Sequence, residues 1–69
     1  MPQQSEWETK AANLLKAELK RRGVTYGQLA KLIGEKEVNI RNKLSRGKFT
    51  AAFLLRSLCA IEVERIEIV

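Results

Sequence analysis

T-Y-G-Q-L-A-K-L-I-G-E-K-E-V-N-I-R-N-K-L-S-R-G, residues 25–47, holds two short helical patterns separated by a glycine. Thr25 followed three residues later by Gln28 is a capping-box pattern that opens a helix. Leu29, Ala30, Leu32 and Ile33 give that helix an apolar side, and Gly34 ends it. A second helix is expected from about Glu37 to Ser45, with Ile40 and Leu44 four apart on its buried face and Gly47 closing it. Two short helices joined by a tight glycine-containing turn form a helix-turn-helix. Its packing makes three demands, and each is met here. A small residue must allow the helices to cross closely (Ala30), a glycine must take the turn (Gly34), and branched residues must pin the second helix (Ile40, then Leu44).

Upstream of this unit, Ser5 and Glu8 form another capping-box pattern, and Glu6 and Glu8 suit the positive end of a helix. Trp7, Ala11, Leu14, Leu15 and Leu19 recur at helical spacing, Lys20 to Arg22 suit the C-terminal end, and Gly23 stops the helix. Residues 1–4 read as a flexible lead-in. Downstream, Thr50 caps a fourth helix, Ala51 to Ala60, carrying Phe53, Leu54, Leu55 and Leu58. This helix is apolar over more than one face, so it is either central or covered by another subunit. Trp7, Phe49 and Phe53 read as core, and Cys59 as a small buried hydrophobe.

Residues 62–69 change period and are β-branched, so a short C-terminal strand is expected. A lone strand needs a partner, and pairing with a second copy gives a symmetric homodimer with Phe53, Leu54, Ile66 and Ile68 at its interface. The expected architecture is mostly α: one four-helix domain over residues 1–69, with a helix-turn-helix at its centre and a dimerising strand at its end.

The 69 residues carry a net charge of +5, and its distribution is uneven. Residues 25–48 hold six basic and two acidic groups, a net +4, while residues 49–69 hold two basic and three acidic, a net −1. A basic middle third suits a polyanion, although a solvated helical surface also accounts for such charge. The single Cys59 excludes an intrachain disulfide and a cysteine-based zinc site. No apolar run approaches the roughly 20 residues of a membrane span, and no signal peptide is recognisable, so a cytoplasmic protein is expected. Helix 6–22 lying on an anionic membrane is a weaker reading, because its apolar residues suit a core. The chain has no histidine, Cys59 has no activating partner, and Ser45 and Ser57 have no base in a known arrangement. Neither an enzyme nor a cofactor is expected.

The spacing of Leu29-Ala30, Gly34, Ile40 and Gly47 resembles that of the lambda Cro/repressor-like class of DNA-binding domains. Two positions depart from the class: Glu35 stands where an apolar residue usually follows the turn glycine, and Lys43 where a small or apolar one is usual. Val38 is expected to fill the gap left by Glu35. The whole chain also resembles a family of small bacterial domains of unassigned function, through W-E-T-K-A-A-N-L-L-K-A-E-L-K-R-R-G-V-T-Y (7–26) and N-I-R-N-K-L-S-R-G-K-F (39–49).

The first resemblance implies that helix 37–45 enters the major groove of double-stranded DNA and that the chain is a sequence-specific transcriptional regulator. Glu37, Val38, Arg41, Asn42 and Ser45 then face base edges, with Arg41 suited to guanine and Asn42 to adenine. Tyr26, Gln28, Lys36, Lys43, Arg46 and Lys48 are placed for phosphate contacts. The alternative is a helix-turn-helix adaptor that binds protein rather than a specific DNA site, a use that Glu35 and Glu37 at the entrance of the helix favour.

Overall fold

A computed structural model describes residues 5–68. Four helices follow one another: α1 (Glu6–Arg22), α2 (Tyr26–Ile33), α3 (Glu37–Arg46) and α4 (Ala51–Ala60). Three of them, α1, α2 and α4, start at the capping residue expected from sequence, and α3 starts after Lys36 with no side-chain cap. Ser5 Oγ accepts from the Glu8 N–H at 3.1 Å while Glu8 Oε1 accepts from the Ser5 N–H at 2.8 Å. Thr25 and Gln28 repeat the exchange at 3.1 and 2.9 Å, and Thr50 Oγ1 accepts from the Phe53 N–H at 3.0 Å. These bonds satisfy backbone donors that a helix start leaves without partners.

α1 packs on α3 and α4, and α2 packs on the same two helices. The core between them is built from Leu15, Leu19, Leu29, Ile40, Leu44, Phe53 and Leu58, closed by Ile61 and Val63. On α1 the buried line is Ala12, Leu15 and Leu19. Trp7, expected in the core, is 67% exposed, because extending the buried line back by one turn reaches Glu8 rather than Trp7. Its ring is covered instead by Lys10, whose Nζ lies 5.4 Å from the ring centroid. On α4 the inward residues are Phe53, Ser57 and Leu58, which leaves Cys59 exposed rather than buried. Phe53 is 3% exposed, so the chain's own core already covers this expected interface residue. Leu54 is partly buried against the same core.

The expected C-terminal strand does not form: among the described residues there is no strand. The alternating β-branched residues serve another end. The Val63 N–H donates to the Leu58 carbonyl at 2.9 Å, and Ile61 and Val63 turn into the core as a continuation of α4. A strand needs a partner backbone, and the other described residues form helices and short connections. Ile66 and Ile68 remain exposed past that anchor, and the strand-paired dimer loses the element on which it was built. Residues 1–4 and Val69 lie outside the described residues, and with them the expected flexible lead-in and the last position of the strand.

Gly47 is where two parts of the fold meet most closely. Its φ is +69°, the left-handed region that costs other residues about 1–2 kcal/mol. A Cβ there would also stand 2.7 Å from the carbonyl oxygen of Glu8, in the first turn of α1. Gly34 has the same left-handed geometry, with φ +70°, but no atom within 4 Å of such a Cβ. Gly34→Ala is therefore expected to lower unfolding stability by about 1–2 kcal/mol, and Gly47→Ala by clearly more. Urea unfolding of the two variants checks this, and equal losses would rule out the α1 contact as a constraint.

Candidate nucleic-acid interface

α3 has two anchors. Ile40 and Leu44, one turn apart, are 0% and 1% exposed, and burying each contributes about 2 kcal/mol. Two buried residues on one stripe fix the rotation of the helix about its axis. Val38, Asn39, Arg41, Asn42, Ser45 and Arg46 are consequently exposed, together with Glu37 at the first position. All five residues expected at base edges thus lie on the open side of α3. Asn39 belongs with them and was missed. Its signal was available, since Asn39, Asn42 and Arg46 are spaced three and four apart on one helical stripe.

Two of the five are already engaged. Arg41 Nη2 donates to Glu37 Oε2 at 2.9 Å, and the guanidinium lies 5.8 Å from the centroid of the Tyr26 ring. Glu37 also lies against the first turn of α2: a Cβ on Gly27 would stand 3.2 Å from Glu37 Oε1, a tight contact that a small shift of the carboxylate relieves. Glu37, Arg41, Gly27 and Tyr26 thus form one contact joining the starts of α2 and α3. Among the described residues, Asn39, Asn42 and Ser45 have no side-chain hydrogen bond.

The residues expected at phosphate divide in the same way. Lys48 Nζ donates to Glu8 Oε2 at 2.8 Å, linking the α3–α4 turn to α1. Lys43 Nζ donates to Glu35 Oε2 at 2.9 Å and sits 4.5 Å from the centroid of the Phe53 ring. Gln28 uses its amide oxygen to cap α2, and Tyr26 is half-buried beneath Arg41. Lys36 and Arg46, at the two ends of α3, are exposed and have no ion-pair partner among the described residues, as is Lys31 on α2.

Glu35 and Lys43 are the two departures from the helix-turn-helix pattern, and here they answer each other. A usual apolar contact across the turn is replaced by an ion pair lying over a core aromatic ring. Val38 does not fill the gap left by Glu35, as expected from sequence; it is 53% exposed, because Lys43 occupies that place. The hydrogen bond from Lys43 and its charge hold the Glu35 carboxyl below the ordinary glutamate range, against the effect of desolvation. The hydrogen bond from Lys48, followed by that from the Ser5 N–H, lowers Glu8 likewise.

This site sits inside a segment that identifies the chain's relatives. The chain belongs to the family described as Domain of unknown function (DUF6471). The family's model matches residues 7–66, which takes in α2, α3 and α4 and all but the first residue of α1. No curated protein and no solved structure matches the chain. The DUF6471 match agrees with the resemblance to a small domain family without assigned function, and it does not extend to the lambda Cro/repressor-like class. No helix among the described residues is long and apolar enough to cross a membrane.

Because Glu8 and Glu35 are held below their ordinary range, they favour the folded state when ionised. That contribution is complete above the ordinary glutamate pKa of about 4.3 and is lost as the pH falls through the lower folded values. Denaturant midpoints measured down an acid series should therefore fall less for Glu35→Gln than for the unaltered chain. Identical acid slopes would show that the Glu35–Lys43 pair contributes nothing to folding.

Proposed function

We propose that this chain is a DNA-binding domain that lays α3 in the major groove, in the manner of the lambda Cro/repressor-like class, and acts as a sequence-specific transcriptional regulator. The observation that carries the reading is the split character of α3. One stripe is locked into the core by Ile40 and Leu44, and the opposite stripe is open and polar. An exposed helix face of this kind, mounted on a rigid domain, has the shape that a major groove about 12 Å wide admits.

Charge supports the same reading. Of the six cations between residues 25 and 48, Arg41, Lys43 and Lys48 are paired with carboxylates, while Lys31, Lys36 and Arg46 are not paired with any described residue. Lys36 precedes α3 and Arg46 ends it, so the open cations bracket the helix where two strands of phosphates would pass on either side. Acting as two copies per site is part of the proposal, and a regulator that does so selects half-sites about one helical turn apart.

Selection from a randomised duplex pool at two salt concentrations tests it. Enrichment of a two-fold-symmetric sequence, with affinity falling steeply as salt rises, is expected. Lys36→Ala and Arg46→Ala should each weaken binding across all sequences and reduce the salt slope by about 1. A pool from which no sequence is enriched would remove the regulator reading and leave the adaptor.

A further inference from the structure

We infer that α3 reads A·T pairs, through the amides of Asn39 and Asn42 and the side chain of Val38, and that Arg41 serves to neutralise Glu37 rather than to read a base. The inference rests on the DNA-binding reading and names the sequence class that reading leaves open.

The open face of α3 carries a particular set of groups: an isopropyl (Val38), two amides (Asn39, Asn42) and a hydroxyl (Ser45). In the major groove adenine presents an acceptor at N7 beside a donor at N6, which one amide meets with one donor and one acceptor. Thymine presents a methyl group that an aliphatic side chain contacts. Guanine presents two acceptors and is matched best by a cation with two donors. The chemistry standing free on α3 is therefore complementary to A·T and incomplete for G·C.

Arg41 is the residue that would supply the guanine contact, and its surroundings direct it elsewhere. Its guanidinium is engaged by Glu37 at 2.9 Å and lies over the Tyr26 ring. Opening an exposed ion pair is not in itself costly. What it leaves behind is costly here: an uncompensated Glu37 carboxylate, set against the first turn of α2, at the entrance to a groove lined with phosphates. Keeping Arg41 on Glu37 makes that entrance neutral. Arg46 stands in the last turn of α3, whereas a recognition helix reads bases mainly through its N-terminal residues. Its position suits phosphate.

Fluorescence anisotropy with three duplexes of equal length tests the inference at one fixed salt concentration. The first is built from A·T pairs and the second from G·C pairs. The third is the A·T duplex with 7-deaza-adenine for adenine and uracil for thymine, which strips N7 and the methyl group from the major-groove edge. The first is expected to bind at least about tenfold more tightly than either of the others. Asn42→Ala should remove most of that difference, whereas Arg41→Ala should weaken all three duplexes by a similar factor. Both side chains are exposed, and circular dichroism checks that the variants stay folded. Equal, salt-sensitive affinity for the three duplexes, or a preference for G·C, overturns the A·T inference while leaving DNA binding in place. Failure to bind any duplex overturns both.

Discussion

Ile40 and Leu44 are the contacts on which the remainder of the arrangement depends. A ten-residue helix with two buried side chains has little apolar surface, and it would not hold its place by propensity alone. Because the two are one turn apart and both nearly inaccessible, they set the depth of α3 and its rotation together. Everything on the open face follows from that rotation. α1 and α2, which bring Leu15, Leu19 and Leu29 into the same core, supply the surface that receives them. The amides and hydroxyl of the polar stripe are thus held in place by the core and are not consumed in folding.

Several charged groups have been consumed in folding, and this changes what the basic composition means. Three of the cations in the middle third are held by Glu8, Glu35 and Glu37. Each of these pairs joins two elements or two turns. Lys48 ties the α3–α4 turn to α1, Lys43 crosses the helix-turn-helix, and Arg41 spans one turn at the start of α3. Exposed pairs contribute little energy, but they spend charge that a net count would assign to a polyanion. The electropositive surface that remains in this segment is narrower than the composition suggests: Lys36 and Arg46 at the two ends of α3, and Lys31 on α2.

The helices were legible because their signals are local. A capping serine or threonine, a glutamate or glutamine three residues on, and a closing glycine need no knowledge of the tertiary structure. Which side chains face inward was legible on α3, where the apolar residues form one stripe. It was less legible on α4, where nearly every residue is apolar: Phe53 reads both as core and as a dimer contact, of which the core reading holds, and the exposure of Cys59 depends on where α1 and α2 stand. Trp7 misled for a related reason. Its spacing fits a helical face, but the buried line of α1 runs back from Ala12 to Glu8, beside Trp7, so a large ring is left with Lys10 for cover. The tail misled because alternation reports which residues would share a side and says nothing of a partner. Ile61 and Val63 used their spacing to re-enter the core.

Glu35 and Lys43 carry the argument about pattern furthest. Taken one at a time, each is a polar residue at a position that its class fills with something apolar or small, and each counts against the motif. Taken as a pair, they are a contact across the turn made with charge instead of hydrocarbon. The substitution has consequences that an apolar pair would not. The Lys43 ammonium is held between Glu35 and the face of the Phe53 ring, which removes it from the set of residues free to meet phosphate. Val38 is thereby relieved of any role in closing the turn and stands exposed beside the amides. The same exchange that makes the motif look irregular in sequence thus clears cationic charge from the flank of α3 and adds an aliphatic group to its open face. A surface composed in that way offers shape and hydrogen-bonding groups more than charge.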